Sequence, residues 1–226
     1  MHFATYYRWL VYSFLFSPLG FGAPRQRLLD IGSKEGAFAA HLAATVDRIV
    51  CLDLKLPRAR SAQVEFALAD GQHLPFADAT FDCILMNDVL EHIPRDQLAV
   101  HEACRVLQLG GVIWLSTPAL HYFVGPEWVT QRFERAWGHV RRGYHPDQLC
   151  RLFPVGMEVH VFTWDEPCIR ALQLPLWVIS RRWMRLARSI ARRCFEVDRR
   201  VYSSRNRSAA LNGHLYLYAH KVCSSV

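Results

Sequence analysis

The sequence has little that would indicate a metal framework, a disulfide framework or a membrane-spanning helix. Its seven cysteines stand at positions 51, 83, 104, 150, 168, 194 and 223, with no C-x-x-C pair and no histidines at metal-ligand spacing. This pattern predicts no metal site and favours a reducing compartment, which we take to be the cytoplasm. Pro18, Gly20 and Gly22 stop the apolar N-terminal stretch at roughly half of the 20 or so residues that a spanning helix needs.

Two short fingerprints are also missing. The first glycine turn reads Asp30-Ile31-Gly32-Ser33-Lys34-Glu35-Gly36, without the second and third glycines of G-x-G-x-x-G, which argues against a nicotinamide dinucleotide. No N/D-P-P-Y/F follows the fourth predicted strand, which argues against chemistry on exocyclic nucleobase amines.

What is present is an alternation of β-rich runs and helical stretches, the pattern of βαβ units around a parallel sheet. The 226 residues, 51% of them hydrophobic, suffice for one α/β domain. Predicted strands cover residues 27–31, 48–54, 64–69, 81–87, 112–116, 157–165 and 214–222, the last of them antiparallel. Predicted helices cover 36–46, 94–107 (ending at the Gly110-Gly111 turn) and 146–153.

We predict four segments along the chain. Residues 1–24 form a hydrophobic aromatic cap that covers the domain, touches a membrane surface, or does both; residues 25–165 form the core; 166–213 form a helical insertion; and 214–226 return the last strand. At about 100° per residue, the insertion is a basic amphipathic helix. Its apolar stripe comprises Ile179, Trp183, Leu186, Ile190, Cys194 and Val197, and its opposite face comprises Arg181, Arg185, Arg188, Arg192 and Arg199.

Ligands of an open parallel sheet bind beyond the carboxyl ends of its strands, so the residues there are the candidate site. Those residues are 30–36, Asp53, Asp70 with Gly71, Asn87 with Asp88, and 117–118. A carboxylate at Asp53 can accept both hydroxyls of a ribose, and Asp30 beside the glycine turn suits a cationic ligand better than a pyrophosphate.

At these residues the chain resembles the class I S-adenosylmethionine-dependent methyltransferases, on their small-molecule branch called type 11. The resemblance covers roughly half of the chain, in order: "LLDIGSKEG", "CLDLK", "EFALADGQHLPFADATFDCILMNDVLEHIP", "RVLQLGGVIWLSTP" and, more weakly, "WGHVRRGYHPDQLCRLF". It implies a Rossmann-like seven-stranded sheet with helices on both faces. It also implies S-adenosylmethionine as the cofactor.

The resemblance further implies roles for individual residues. Gly32 and Gly36 would let the backbone approach the methionine part, Asp53 would bind the ribose, Asp70 would meet the adenine, and Asn87 would face the sulfonium end. The implied cofactor-binding residues are Asp30, Gly32, Ser33, Gly36, Asp53, Leu54, Asp70, Gly71 and Asn87. Lys34 departs from the family's D-x-G-x-G-x-G, and its side chain either turns to solvent or pairs with the methionine carboxylate.

Methyl transfer needs a base only for certain acceptors, and the candidates are Asp88, His92 and His139. A histidine is often structural, and that reading stays open for His92 and His139. Arg141 and Arg142 are candidate anchors for an acidic group of the acceptor.

The net charge of +7 indicates an acidic partner. We expect a small-molecule or lipid-like acceptor and a peripheral position at the inner membrane face, with Arg181, Arg185, Arg188 and Arg192 on anionic lipid. The alternatives are packing of the helix on the domain alone, an RNA-modifying enzyme, and a non-catalytic relative that binds a partner.

Overall fold

A computed structural model describes residues 2–57, 62–123, 126–204 and 213–222. Cys223 and the end of the predicted last segment, 223–226, lie outside the described residues, as do 205–212 of the insertion. The strands are β1 (Arg25–Ile31), β2 (Val46–Asp53), β3 (Glu65–Leu68), β4 (Phe81–Asn87), β5 (Leu107–Pro118), β6 (Met157–Trp164) and β7 (His214–Lys221). The α-helices are α1 (Phe3–Phe16), α2 (Asp96–Val106), α3 (Glu127–Trp137), α4 (Pro146–Cys150), α5 (Pro167–Ala171), α6 (Gln173–Ser180) and α7 (Met184–Ser204).

The strands form one seven-stranded sheet in the order β3-β2-β1-β4-β5-β7-β6. β1 to β5 are parallel, and β7 is antiparallel to both β5 and β6. The Rossmann-like fold and the antiparallel last strand are therefore confirmed. Because β7 runs the other way, its first residue meets the carboxyl ends of its neighbours.

Each face of the sheet is covered by its own apolar cluster, since neighbouring residues of a strand point to opposite faces. Leu28 packs with α1 and α7 on one face, whereas Leu29 packs with α2 on the other. Both side chains are fully buried. The hydrophobic run of β1 thus serves two cores, as a central parallel strand requires.

The N-terminal helix α1 is held by an aromatic face at helical spacing. Phe3, Tyr7, Val11 and Leu15 recur every four residues and are buried. The Tyr7 hydroxyl donates to Asp198 of α7 at 2.6 Å and accepts from the Trp164 indole at 3.0 Å. α1 therefore packs against α7 and the end of β6.

Three predictions about local structure were wrong. The helix expected at 36–46 is a single 3-10 turn, Ala39–Leu42, because Gly36 lies close on Cys51 of β2 and the connection to β2 is short. Gly110 and Gly111 lie inside β5 instead of ending a helix. The basic insertion is also broken, since α6 ends at Ser180 and α7 begins at Met184.

The buried face of α7 differs from the predicted stripe. Cys194 is buried, but Trp183, Leu186 and Val197 are 59%, 47% and 48% exposed. The residues that face the protein are Ala187, Ala191, Cys194, Phe195 and Asp198. Small side chains at 187 and 191 allow α7 to approach α1 closely, which turns the larger apolar residues outward. Within the described residues, no helix is both long enough and apolar enough to span a bilayer.

Candidate active site

The predicted site residues lie along one edge of the sheet, at the carboxyl ends of the parallel strands. Asp30 and Asp53 stand at the ends of β1 and β2, Asp70 follows β3, and Asn87 ends β4. The parallel register pairs Asp30 with Cys51 and Leu85. The edge is therefore continuous from the glycine turn on one side to Asp88 on the other.

The glycine turn is fastened to the end of β2. The Gly32 and Ser33 amides donate to the Leu52 carbonyl at 2.8 and 3.2 Å, and the Lys34 amide donates to Asp53 Oδ2 at 2.9 Å. Lys34 has a φ of +52°, a backbone region that favours glycine, and its side chain is exposed. The departure from the family's middle glycine therefore leaves the turn intact.

A glycine is needed at position 32 because a neighbouring side chain leaves no room for a Cβ, and also because the φ is +74°. A Cβ at this position would lie 2.3 Å from Cγ2 of Val89, so Val89 packs directly on the turn. Gly36 is similarly confined, because a Cβ there would lie 2.9 Å from Cys51 Sγ. Both glycines therefore allow the turn to pack closely against its neighbours.

Asp30 and Asp53 are the carboxyl groups at the ends of β1 and β2. Asp30 is 2% exposed, and burial followed by the charge of Asp53 raises its pKa to about 8. Asp53 accepts amides from Lys34 and, at 3.3 Å, from Lys55, which leaves about two of the carboxylate's four acceptor positions for a ligand. Leu54, beside Asp53, is 68% exposed.

Asp70 and Gly71 form the turn after β3. Asp70 accepts the Gln72 backbone amide at 2.9 Å and also the Gln72 side-chain amide. A Cβ on Gly71 would lie 3.0 Å from Ile31, so this turn packs tightly against the end of β1. The Asp70 carboxylate is therefore fixed in position next to the glycine turn.

Asn87 and Asp88 are placed by β5. The Ser116 hydroxyl lies 2.8 Å from Asn87 Oδ1 and 2.8 Å from Asp88 Oδ1, and the Asp88 amide donates to the Ser116 carbonyl. Asp88 has a φ of +49°, an uncommon conformation for a residue with a side chain. Such strain persists only where the surroundings fix it, and it is frequent at functional sites.

The acceptor side holds a buried ionic group that we call the Arg8 cluster: Arg8, Asp88, Glu166, His214 and Tyr216. From α1, Arg8 Nε donates to Asp88 at 3.0 Å, and Nη1 donates to Glu166 at 2.8 Å and to the Tyr216 hydroxyl at 3.2 Å. Arg8 also contacts Nε2 of His214. Because arginine only donates, His214 keeps its proton on Nδ1, which lies 2.8 Å from Glu166 Oε1.

The Arg8 cluster keeps its carboxyl groups ionised despite burial. Burial raises the pKa of Glu166, but the neighbouring Arg8, followed by His214, outweighs it and lowers that pKa to about 2. The same balance, again led by burial against Arg8, holds the pKa of Asp88 far below its usual value. A carboxylate that acidic is a poor proton acceptor, so Asp88 does not suit the role of general base.

His92 and His139 lie together, with ring centroids 4.8 Å apart. His92 Nδ1 contacts the Gly138 carbonyl at 3.2 Å. Burial lowers the pKa of His92, although its hydrogen bond to the Gly138 carbonyl acts in the opposite direction. Burial followed by His92 lowers the pKa of His139 to about 4. Both imidazoles are therefore neutral at about pH 7.

Arg141 and Arg142, predicted as anchors for an acceptor, are engaged within the protein. Arg141 donates to the carbonyls of Leu90 and Ile93 at 2.7 Å. Arg142 pairs with Glu127 and Glu134 of α3. These contacts tie the loop after α3 to the turn after β4.

Sequence reasoning missed Arg8, Glu166 and His214. Arg8 stood alone in an apolar segment, which was a usable signal, because an isolated charge in a buried helix needs a partner. Glu166 follows β6, but the sequence does not show which strands β6 and β7 pair with. His214 begins the antiparallel β7, so it lies at the amino end of its strand, whereas the predicted site residues lie at carboxyl ends.

Comparison with known proteins agrees with this geometry. Residues 29–115 match the family model described as a methyltransferase domain. The chain is 33% identical over 127 residues to the biotin biosynthesis bifunctional protein BioHC of Cellvibrio japonicus, covering 54% of this chain and 24% of that protein. It is 33% identical over 112 residues to a fatty-acid O-methyltransferase of Mycolicibacterium smegmatis, covering 46% of this chain and 40% of that protein.

A solved structure shares the fold over nearly the whole chain. The phosphoethanolamine N-methyltransferase 2 of Haemonchus contortus, crystallised with S-adenosyl-L-methionine, superposes with a TM-score of 0.61 at 15% identity, covering 95% of this chain and 56% of that one. The chain spans between a quarter and just over half of the length of the first curated relatives it matches. The motifs, the sheet order and the match over residues 29–115 show a class I S-adenosylmethionine-dependent methyltransferase domain in this chain, consistent with the type 11 branch.

Proposed function

We propose that this protein transfers a methyl group from S-adenosylmethionine to a small-molecule or lipid-like acceptor at the inner face of a membrane. The observation that supports it is the division of one sheet edge into two halves. The glycine turn, Asp53 and Asp70 form a half suited to a nucleoside, and the Arg8 cluster forms a second half beyond Asp88. A fatty-acid O-methyltransferase among the relatives points in the same direction.

The residues of the first half fit S-adenosylmethionine, which supplies a methyl group on a positively charged sulfur. Asp53 retains acceptor positions for ribose hydroxyls, and Asp70 can accept from an adenine amino group. Asp30 is buried with a pKa of about 8, so a cation beside it would favour its charged form. The cofactor brings two such cations, an ammonium and a sulfonium.

The second half aligns the acceptor and excludes water from it. Alignment and desolvation account for most of an in-line displacement at an activated carbon. Asp88, strained and fixed by Arg8 and Ser116, orients groups at the boundary between the two halves. If an acceptor has to lose a proton, the neutral imidazoles of His92 and His139 are better acceptors than Asp88.

An exposed apolar surface next to the Arg8 cluster supports a lipid-like acceptor. The Tyr122 hydroxyl donates to Gln173, the first residue of α6, at 3.1 Å, and its ring lies 4.8 Å from that of His214. From there α6 and the start of α7 present Leu174, Trp177, Val178, Trp183 and Leu186, each at least 45% exposed.

Positive charge surrounds this apolar surface. Residues 181–200 include eight arginines and two acids, one of which, Asp198, is buried. The Arg181 guanidinium stacks on the Trp177 ring at 4.2 Å from its centroid. Exposed tryptophans beside arginines are what an anionic lipid surface binds. This charge complementarity favours lipid over a neutral partner.

Calorimetric titration with S-adenosylmethionine and S-adenosylhomocysteine tests the cofactor half. We expect saturable binding that Asp53→Ala abolishes. Asp47→Ala is the matched control, because Asp47 lies exposed at the other end of the same strand. Absence of binding to both ligands, or equal binding by Asp53→Ala, would contradict the proposed activity and favour a non-catalytic relative.

Sedimentation with vesicles tests the membrane surface. We expect binding to phosphatidylglycerol vesicles at low salt and none to phosphatidylcholine vesicles. Arg185→Gln with Arg192→Gln should weaken it about thirtyfold, at about 1 kcal/mol per arginine. Trp177→Ala should also weaken binding, and Trp128→Ala is its control, because Trp128 is 72% exposed on α3. Binding to transfer RNA without binding to vesicles would favour the RNA-modifying alternative.

A further inference from the structure

Three potential metal ligands converge at the carboxyl end of β4. Glu91, His92 and His139, which we call the Glu91 triad, each offer one ligand atom, and these atoms lie within 4.8 Å of one another. Glu91 is 1% exposed, and the two imidazoles are half-buried. His92 and His139 stand far apart in the sequence, so spacing alone could not associate them.

The two segments that supply the triad are locked together by main-chain contacts. The amides of Val140 and Arg141 donate to the Glu91 carbonyl at 2.9 and 3.4 Å. The His139 amide donates to the Glu134 carbonyl at the end of α3. The Arg141 guanidinium holds the Leu90 carbonyl from the other segment. The positions of the three side chains are therefore set by the fold before any ion binds.

The hydrogen bonds of the triad leave ligand atoms available. His92 Nδ1 is 3.2 Å from the Gly138 carbonyl, which places the proton on Nδ1 and leaves the lone pair on Nε2 free. His139 Nδ1 is buried, and it has no hydrogen-bond partner among the described residues. Glu91 is held by the Thr117 hydroxyl at 3.2 Å, a bond that still leaves acceptor positions on its carboxylate.

We propose that the Glu91 triad binds one divalent transition-metal ion of the zinc type. Two imidazoles and one carboxylate are a ligand set of catalytic zinc sites, which keep a further position open. Zinc bonds of about 2.0–2.2 Å at tetrahedral angles place ligand atoms about 3.4 Å apart. The triad therefore needs to close by up to about 1.4 Å, through rotation of the two histidine side chains.

Asp88 stands three residues before Glu91 in the turn after β4, and an ion held by the triad would keep one further position open. An oxygen of the acceptor can occupy it, a role that rests on the proposed methyl transfer. The metal site also gives His92 and His139 a different task, because an imidazole bound to a metal does not accept a proton from the acceptor. Both histidines are then binding residues instead of bases.

Cobalt titration of untagged, metal-free protein tests the site without any measurement of activity. We expect one equivalent of Co²⁺ to produce d–d absorption that Zn²⁺ displaces. His139→Asn and His92→Asn should each raise the Kd for Co²⁺ more than about tenfold. His160→Asn should leave the Kd unchanged, because His160 is exposed on β6, where it contacts Glu158 and the ring of Tyr218.

The outcome is independent of the cofactor site. Asp53→Ala should bind Co²⁺ like the unaltered protein even where it no longer binds S-adenosylmethionine, so failure of one proposal leaves the other standing. Lack of saturable Co²⁺ binding would overturn the metal site. Equal Co²⁺ binding by His139→Asn, with thermal denaturation showing that the variant is folded, would overturn it as well.

Discussion

Arg8→Met removes the cation that two buried carboxylates share while keeping an apolar side chain in α1. Arg8 pairs with Glu166 at 2.8 Å and with Asp88 at 3.0 Å, and their side chains are 12%, 3% and 29% exposed. Removing one partner of a buried pair costs about 3–5 kcal/mol, because the remaining charge stays buried without compensation. We expect Arg8→Met to lower the free energy of unfolding by this amount at about pH 7.

The lowered pKa of Glu166 corresponds to a contribution of similar size to the free energy of unfolding. Its fall from the usual 4.5 to about 2 corresponds to about 3 kcal/mol of stability that is present above about pH 4.5 and is lost as the pH falls toward 2. In Arg8→Met the burial of Glu166 remains and its main counter-charge is gone, so its pKa rises above 4.5. The variant should therefore gain stability as the pH falls from about 7 to about 5.

Urea denaturation at about pH 7 and about pH 5.5 measures both the loss and its pH dependence. Arg48→Met is the matched control, because Arg48 and Glu65 form an exposed pair, and exposed pairs contribute little to stability. A loss below about 1 kcal/mol in Arg8→Met would refute the reasoning. So would a variant whose stability depends on pH in the same way as that of the unaltered protein.

Two further substitutions probe the glycine turn. Lys34→Gly removes the side chain of a residue whose φ is +52° and keeps the backbone amide that donates to Asp53. We therefore expect calorimetry to show tighter binding of S-adenosylmethionine. A clear loss of binding would contradict this. Gly32→Ala brings a Cβ to 2.3 Å from Val89, and it should destabilise by about 1–3 kcal/mol more than Gly22→Ala, whose φ is also positive but whose Cβ meets nothing within 4 Å. Thermal denaturation of the two alanine variants measures the difference, and equal melting temperatures would exclude the contact.

The sheet could be predicted from the sequence because its strands are buried on both faces and bounded by turns. β4 was predicted with its actual bounds, and the other strands differ by at most two residues at an end, except β5, which begins five residues earlier than predicted. The helix expected at 36–46 was wrong for a tertiary reason. Its apolar residues have helical spacing, but Gly36 is fixed on Cys51, and Thr45 ends the turn by bonding to the Leu42 carbonyl.

The cofactor half of the site followed from local sequence, whereas the acceptor half did not. Asp53 and Asp70 each follow a strand, so a single rule locates them. The Arg8 cluster draws on α1, β4, β6 and β7, and contacts between residues 8 and 214 depend on the order of strands in the sheet. The sequence also did not predict which face of α7 is buried. Trp183, which is exposed, and Ala187, which is buried, have the same helical spacing, and they differ only in the size of the side chain that would pack against α1.

Neighbouring residues of α1 link the basic surface to the acceptor half. Tyr7 bonds to Asp198 of α7, and Arg8, the next residue, bonds to Asp88 and Glu166. α7 also presents the arginines that we expect to bind anionic lipid. A displacement of α7 would therefore be transmitted to Asp88 through two adjacent residues of α1 and their hydrogen bonds. Asp88 has a strained φ that its partners maintain, so we expect its conformation to respond to a shift of Arg8. We therefore expect anionic vesicles to alter acceptor binding while leaving S-adenosylmethionine binding, which depends on β1, β2 and β3, unchanged.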